Sequence, residues 1–212
     1  MKKFSKISFM VFLAAVILLI GVKFMPVWRI TLTAPQYPGG INMYISIDKI
    51  TGDDESTLQN INILNHYVGM KFIEPDSIPE LKLFPYIIYG LMFIGLVFLA
   101  LRRRIFKLIW VMLIVLLGLL GMYDFYMWEY DYGHNLSPDA PIKIEGMAYQ
   151  PPLLGEKMLL NFKAESYPYY GSLFLGSAVL LGFVSYLLQR RHEKKYNVSI
   201  SAGSDNNGIV RG

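Results

Sequence analysis

Cysteine is absent from this chain. Its absence excludes disulfides, CxxC redox chemistry, c-type haem attachment, iron–sulfur ligation and a lipidated N-terminal Cys. Charge is sparse: 17% of the 212 residues are Asp, Glu, Lys or Arg, where a soluble domain carries about 25%. Histidine occurs three times. None of the three falls in a long apolar run, so bis-His haem ligation across a bilayer has no ligands. The GxSxG, HExxH, Walker and GxGxxG patterns are also missing, and the chain is read as not an enzyme. The net charge of +4 forms no basic face of the kind that binds nucleic acid.

What the chain has is apolar length. Hydrophobic residues make up 54% of it, with a mean hydropathy of +0.38. Four blocks between charges are each close to the ~20 residues that cross a hydrocarbon core. They are read as spans over residues 7–28, 83–101, 105–127 and 166–189. The first block begins "MKKFSKISFMVFLAAVILLIG", as a signal peptide does. No small-x-small cleavage site follows it, so it is read as an uncleaved anchor. Apart from Lys23, Lys107 and Asp124 near their ends, these blocks hold none of the Asp, Glu, Lys, Arg and His that pumps and ion-coupled transporters use. Small-molecule transport is therefore the weakest functional reading. Small residues at Ser172, Gly176, Ala178, Gly182, Gly90, Gly95, Gly118 and Gly121 suit close helix packing within a bundle.

Orientation follows from charge. Twelve basic residues, including Arg102, Arg103, Arg104 and Lys107 of the short 102–107 turn, fall on one side with two acids, net +10. The other side has eight basic and fourteen acidic residues, net −6. Positive loops stay in the cytoplasm. Both termini are therefore expected inside, with residues 29–82 and 128–165 outside and a cytoplasmic tail over 190–212 whose end, "NVSISAGSDNNGIVRG", reads as disordered. The expected fold is an all-α membrane bundle of four transmembrane helices, N-in/C-in, with a small α+β extracytoplasmic domain built from two loops. The expected location is the cytoplasmic (inner) membrane, with the lipid bilayer as solvent for the spans.

Each outer loop carries local signals. Ile30 and Leu32 alternate with threonines, and Ile41, Met43, Ile45 and Ile47 alternate with polar residues around "PQYPGG", which reads as a hairpin. Ser56 and Gln59 fit a capping box. Leu58, Ile61, Leu64/Asn65 and Val68 share a helical face, and Gly69 stands at its end. In the second loop, "MYDFYMWEYDYGH" reads as an interfacial aromatic belt. "PIKIEGMAY" and "MLLNFKAE" read as two strands around "QPPLLGEK". Strands from both loops are expected to share one sheet.

Two stretches hold the candidate site residues. "LNHYVGM" holds His66 and Met70 at i, i+4, and "YDYGHNLSPDAPIKIEGMAYQPP" holds His134 and Met147. Imidazole with thioether suits Cu(I), so these four residues form the candidate metal set. Asn65, Tyr67, Tyr130, Asp131, Tyr132, Gln150 and Pro151 in the same stretches form the candidate docking set. Satisfied polar or interface histidines are the plainer reading. No resident cofactor is expected.

"YPGGINMYISIDKITGDDESTLQNINILNHYVGMKFIEPDSIPELK" and "YDYGHNLSPDAPIKIEGMAYQPPLLGEK" resemble a family of multi-spanning membrane accessory proteins. These are encoded with nitrous oxide reductase in clusters of the clade II type. The resemblance implies a role in denitrification, as a membrane partner of that periplasmic copper reductase or as a copper-handling maturation factor. It carries over no catalytic residue. Missing Cys sets the chain apart from the lipid-anchored copper chaperone of such clusters.

Overall fold

A computed structural model describes residues 4–142, 144, 146 and 148–208, with side chains described through Ser201. Four helices are long and apolar enough to cross a membrane: Lys6–Phe24, Pro79–Leu101, Arg104–His134 and Tyr170–Ser201. The first is interrupted near Leu19, giving α1 (Lys6–Leu18) and α2 (Gly21–Phe24). The sheet's first strand opens at Trp28, so the first span stops short of the expected residue 28. The chain divides into two compact units. One comprises Met1–Leu19, Tyr89–Val115 and Leu175–Gly212; the other comprises Ile20–Ile88 and Leu116–Phe174.

The first unit is helical, built from α1 with parts of α4 (Pro79–Leu101), α5 (Arg104–His134) and α6 (Tyr170–Gly208). Its centre is Trp110, fully buried, with Nε1–H donating to the Leu91 carbonyl at 2.8 Å. The indole meets Phe12 edge-on at 5.0 Å. A Cβ at Gly95 would lie 2.8 Å from the Trp110 ring nitrogen, and one at Gly182 3.1 Å from a ring carbon. Both glycines thus let a neighbouring helix close on the indole. Gly90, Gly118, Gly121 and Gly176 meet nothing within 4 Å, so the expectation of bundle packing is met only by part of the small-residue set. Ile7, Met10, Ile17, Phe93, Leu96, Met112 and Leu180 are exposed, an apolar surface that a bilayer, not water, accommodates.

The helices outrun their apolar blocks. The tail read as disordered continues α6 as far as Gly208. Asn, Ser and Gly are weak helix formers, but extending a formed helix avoids the nucleation cost. α5 likewise continues to His134, so the second outer segment leaves the helix seven residues later than its expected start at 128. Ser166–Pro168, assigned to the last span by hydropathy, belong to a strand.

The second unit is a five-stranded antiparallel sheet in the order β3-β2-β1-β5-β4. Its strands are β1 (Trp28–Ala34), β2 (Tyr37–Ile45), β3 (Ile50–Gly52), β4 (Gly155–Leu159) and β5 (Phe162–Pro168). β1 and β2 join tightly, with Ala34 opposite Tyr37 and a register shift between Leu32 and Ala34. The "YPGG" read as turn is therefore strand. Its Gly40 has φ 77°, a conformation glycine adopts without a Cβ clash. "PIKIEGMAY" contributes no strand among the described residues. The consecutive prolines after it lack the N–H that a ladder needs, and the second hairpin forms instead from β4 and β5.

β1 alternates strictly, with Trp28, Ile30, Leu32 and Ala34 buried. Phe162, Ala164 and Ser166 of β5 fall on the same face, Ile30 opposite Ser166 and Leu32 opposite Ala164. Trp28 Nε1–H donates to Ser166 Oγ at 2.7 Å. Covering this face are α3 (Thr57–Val68) and a stripe of α5 formed by Met122, Phe125, Trp128 and Tyr132. The aromatic run is therefore not a belt alone. Tyr123, Tyr126 and Tyr130 are exposed on one side of α5, whereas Phe125, Trp128 and Tyr132 pack into the core at the 3–4 spacing of a helix. α3 ends at Gly69 with φ 81°. At its start the Ser56 side chain caps nothing. Asp54 Oδ1 accepts instead from Ser56 N, Ser56 Oγ and Thr57 Oγ1, each at 2.9 Å. These bonds, Ser56's first, hold the Asp54 carboxyl below its ordinary range.

The β1–β5 register can be tested cleanly in a cysteine-free chain. Thr31 faces Glu165, and paired strand residues lie about 4.5–5.5 Å apart at Cα, within disulfide reach. Thr31→Cys with Glu165→Cys should oxidise to an intramolecular disulfide, read as a mobility shift on non-reducing gels. Thr33→Cys with Tyr167→Cys, four residues out of register, should not. Equal cross-linking of the two pairs would contradict this pairing.

Candidate functional site

Two buried polar sites stand out, one in each unit. In the helical unit Lys107 is 1% exposed. It belongs to the bundle, one turn inside α5, not to the turn in which its sequence position suggested it. Its three N–H groups meet three acceptors: Ser8 Oγ at 2.5 Å, Ser185 Oγ at 3.0 Å and the Ser8 carbonyl at 3.3 Å. Ser8 Oγ–H donates to the Ser185 carbonyl and Ser185 Oγ–H to the Ser8 carbonyl, each at 2.6 Å, with the two hydroxyl oxygens 3.1 Å apart. One turn away Arg104 pairs with Glu193 at 3.2 Å, and Glu193 accepts from Gln189 Nε2 at 3.0 Å. Serine beside lysine resembles a nucleophile–base pair, but Ser8 and Ser185 are fully buried and offer a substrate no approach. The arrangement clamps α1, α5 and α6 together.

In the sheet unit the orphan is Glu129. Both carboxyl oxygens are buried and lack a hydrogen-bond partner among the described residues, as does the buried hydroxyl of Tyr149. Both side chains line one cavity of ≈ 40 Å³, together with Ile30, Leu32, Met43, Trp128, Tyr132 and Phe162 among others. The geometry follows from the elements. Glu129 lies on the inward stripe of α5 beside Trp128, under the buried face of β1 and β5. Tyr149 is held by its own N–H, which donates to the Gly133 carbonyl at 2.9 Å. A Cβ at Gly133 would lie 2.3 Å from the Gln150 backbone, so only glycine admits that approach.

Comparison with protein-family models, curated proteins and solved structures finds no match.

The two stretches proposed from sequence meet in the sheet unit, where Ser137 N–H donates to the Gly69 carbonyl at 2.7 Å and Ile142 N–H to the Tyr67 carbonyl at 2.9 Å. His66 is exposed on α3, with ring contacts to Tyr67 at 6.3 Å and Phe72 at 6.2 Å. Met70 lies past the Gly69 stop and packs against the core, where it lines the Glu129 cavity. His134 is exposed, stacked on Tyr130 at 3.9 Å, and its Nδ1–H donates to the Tyr130 carbonyl at 2.9 Å. Met147 lies outside the described residues. Among the described residues no three His, Asp or Glu side chains gather as a metal-holding group. His66 and His134 thus face solvent while Met70 faces the core.

The docking set divides likewise. Tyr67 and Tyr130 are exposed. Asp131 is half-exposed and paired with Lys71 at 2.6 Å. Asn65 is buried, donating to the Lys71 carbonyl at 3.4 Å. Tyr132 is buried, donating to the Phe72 carbonyl at 2.9 Å. These two brace the 71–72 segment from below and are not themselves available for docking. Gln150 and Pro151 are half-buried, Pro151 against the cavity. Sequence reading missed Lys107 and Glu129, although each left a trace: a lysine three residues into an apolar run, and an acid within an aromatic stripe.

The lysine clamp predicts an asymmetry. Lys107→Met should change stability in detergent by no more than ~1 kcal/mol, because the two serines still satisfy each other. Ser8→Ala with Ser185→Ala leaves a buried ammonium without hydroxyl acceptors and should cost about 3–5 kcal/mol. Thermal unfolding of the three proteins measures both. A lysine variant as damaged as the double serine variant would contradict the clamp.

Proposed function

We propose that this chain is a non-catalytic integral membrane subunit whose sheet unit docks a soluble protein outside the cytoplasmic membrane. The observation that carries the reading is an exposed apolar cluster on the sheet unit: Ile63, Tyr67 and Phe72, each about half exposed, with His66 in ring contact with the two aromatics. Ile142, also exposed, borders it, its N–H donating to the Tyr67 carbonyl at 2.9 Å. Aromatic side chains exposed together are the usual anchors of protein interfaces. Four long apolar helices supply the membrane attachment.

Orientation in this proposal rests on charge. The basic residues concentrate at the two termini and the 102–104 arginines, and the segments of the sheet unit carry the acidic excess, net −6 over both outer stretches. With both termini in the cytoplasm, the sheet unit is periplasmic. An acidic domain selects a partner face rich in Lys and Arg and associates in a salt-dependent manner. The resemblance to accessory proteins of nitrous oxide reductase clusters names the partner proposed here: that copper reductase, held at the membrane. Copper handling by His66, Met70, His134 and Met147 is not favoured, because Met70 turns into the core while His66 faces out.

Affinity capture from mild detergent tests the docking. The full chain should retain the purified reductase at low ionic strength and lose it as salt rises, since the charge contribution is screened. Tyr67→Ala with Phe72→Ala should weaken retention about tenfold or more, the scale of losing two interface aromatics. A chain recovered alone at every ionic strength, or a double variant that binds as well as the parent, would refute it.

A further inference from the structure

We propose that the cavity beneath the sheet is a binding site for a small primary ammonium ion, with Glu129 and Tyr149 as its polar end and aromatic rings as its walls. Three polar oxygens point to it: two from the Glu129 carboxyl and one from the Tyr149 hydroxyl, all buried and all without a hydrogen-bond partner among the described residues. Buried polar atoms left unpaired are uncommon in folded proteins and mark a site where a partner belongs. Here three occur on two side chains lining one cavity. The neighbouring polar groups are already engaged. Tyr132 donates to the Phe72 carbonyl, and Asn65 to the Lys71 carbonyl. The orphaned set is thus dominated by acceptors, and a primary ammonium offers three N–H donors.

The walls fit the same cation. Trp128, Tyr132 and Phe162 line the cavity, and aromatic faces attract ammonium ions by their quadrupole. Met43 and Leu32 complete an apolar region suited to a short alkyl chain. Size sets the ligand class. A volume of ≈ 40 Å³ corresponds to three or four water-sized spheres at about 10–15 Å³ each. That accommodates methylammonium to propylammonium and excludes a quinone, a lipid or a peptide. An anion would meet the carboxyl at close range. A quaternary ammonium brings no N–H donor for the three oxygens.

Titration of the full-length chain in detergent tests the site, by calorimetry and by NMR of carbon-labelled methylammonium. Propylammonium should bind saturably, one per chain, with a dissociation constant on the order of 0.1 mM, near the limit for four non-hydrogen atoms. Methylammonium should bind more weakly, and tetramethylammonium and acetate not at all. Glu129→Gln keeps the shape and removes the charge, and should weaken propylammonium at least tenfold. Tyr149→Phe removes one acceptor, leaves the carboxyl in place and should weaken it several-fold, which keeps the test decisive if the glutamine variant does not fold. Absence of saturable binding by the parent chain would overturn the proposal, since the oxygens would then be served by water alone. Tetramethylammonium binding as well as propylammonium, or affinity unchanged in the folded variants, would overturn it too.

Discussion

The antiparallel ladder between β1 and β5 is the interaction on which the sheet unit depends. It joins residues 28–33 to residues 163–168, so two stretches with helices between them in sequence become one sheet. Each brings its own hairpin, β2 and β3 on one side and β4 on the other. The two-stranded β4–β5 hairpin is too small to be stable alone in water, and the three strands β1, β2 and β3 only just reach the minimum. Closing the ladder places Trp28, Ile30 and Leu32 beside Ala164 and Ser166 and creates one continuous apolar face. That face is what α3 and the inward stripe of α5 cover. Long-range pairing of this kind carries a loop-closure cost before it gains contacts. The apolar anchors of the intervening helices shorten that search if they are already held in a bilayer.

Glu129 is the one buried acid among the described residues, and its position explains why it persists in a largely apolar core. It lies on the same helical stripe as Phe125, Trp128 and Tyr132, so turning it outward would turn the aromatic covering of the sheet outward as well. The helical unit solves its own polar problem differently. Lys107 finds three acceptors on two neighbouring helices, and its charge becomes part of the packing around Phe12, whose ring lies 5.6 Å from the ammonium. A satisfied cation in one unit and an orphaned carboxyl in the other imply different uses. The first holds helices together, and the second holds space for something else.

Much of the architecture was readable from hydropathy and period, because both report directly on burial. Apolar length marked four long helices, and alternation at Ile30–Leu32 and Ile41–Ile45 marked strands. Where the reading failed, a tertiary term outweighed the local one. The aromatic run at 123–132 looked interfacial, yet half of its rings are recruited by the sheet. "PIKIEGMAY" alternates as a strand should, but Pro151 and Pro152 follow it and the pairing shifts to Gly155–Leu159. The candidate site was less legible. His66 and Met70 share a helical spacing that Gly69 cancels by ending the helix between them. Glu129 and Tyr149 are 20 residues apart and line one cavity because the chain approaches closely at Gly133, which no local pattern announces.

The proposed orientation rests on charge: basic termini in the cytoplasm, and the acidic stretches 29–82 and 128–165 outside. The absence of native cysteine makes this directly measurable. Single cysteines introduced at exposed Lys157 and, separately, at Arg191 would be treated in intact cells with a membrane-impermeant maleimide, and again after lysis. The account predicts labelling at 157 in intact cells and at 191 only once the membrane is broken. Labelling at 191 in intact cells with 157 protected would contradict it.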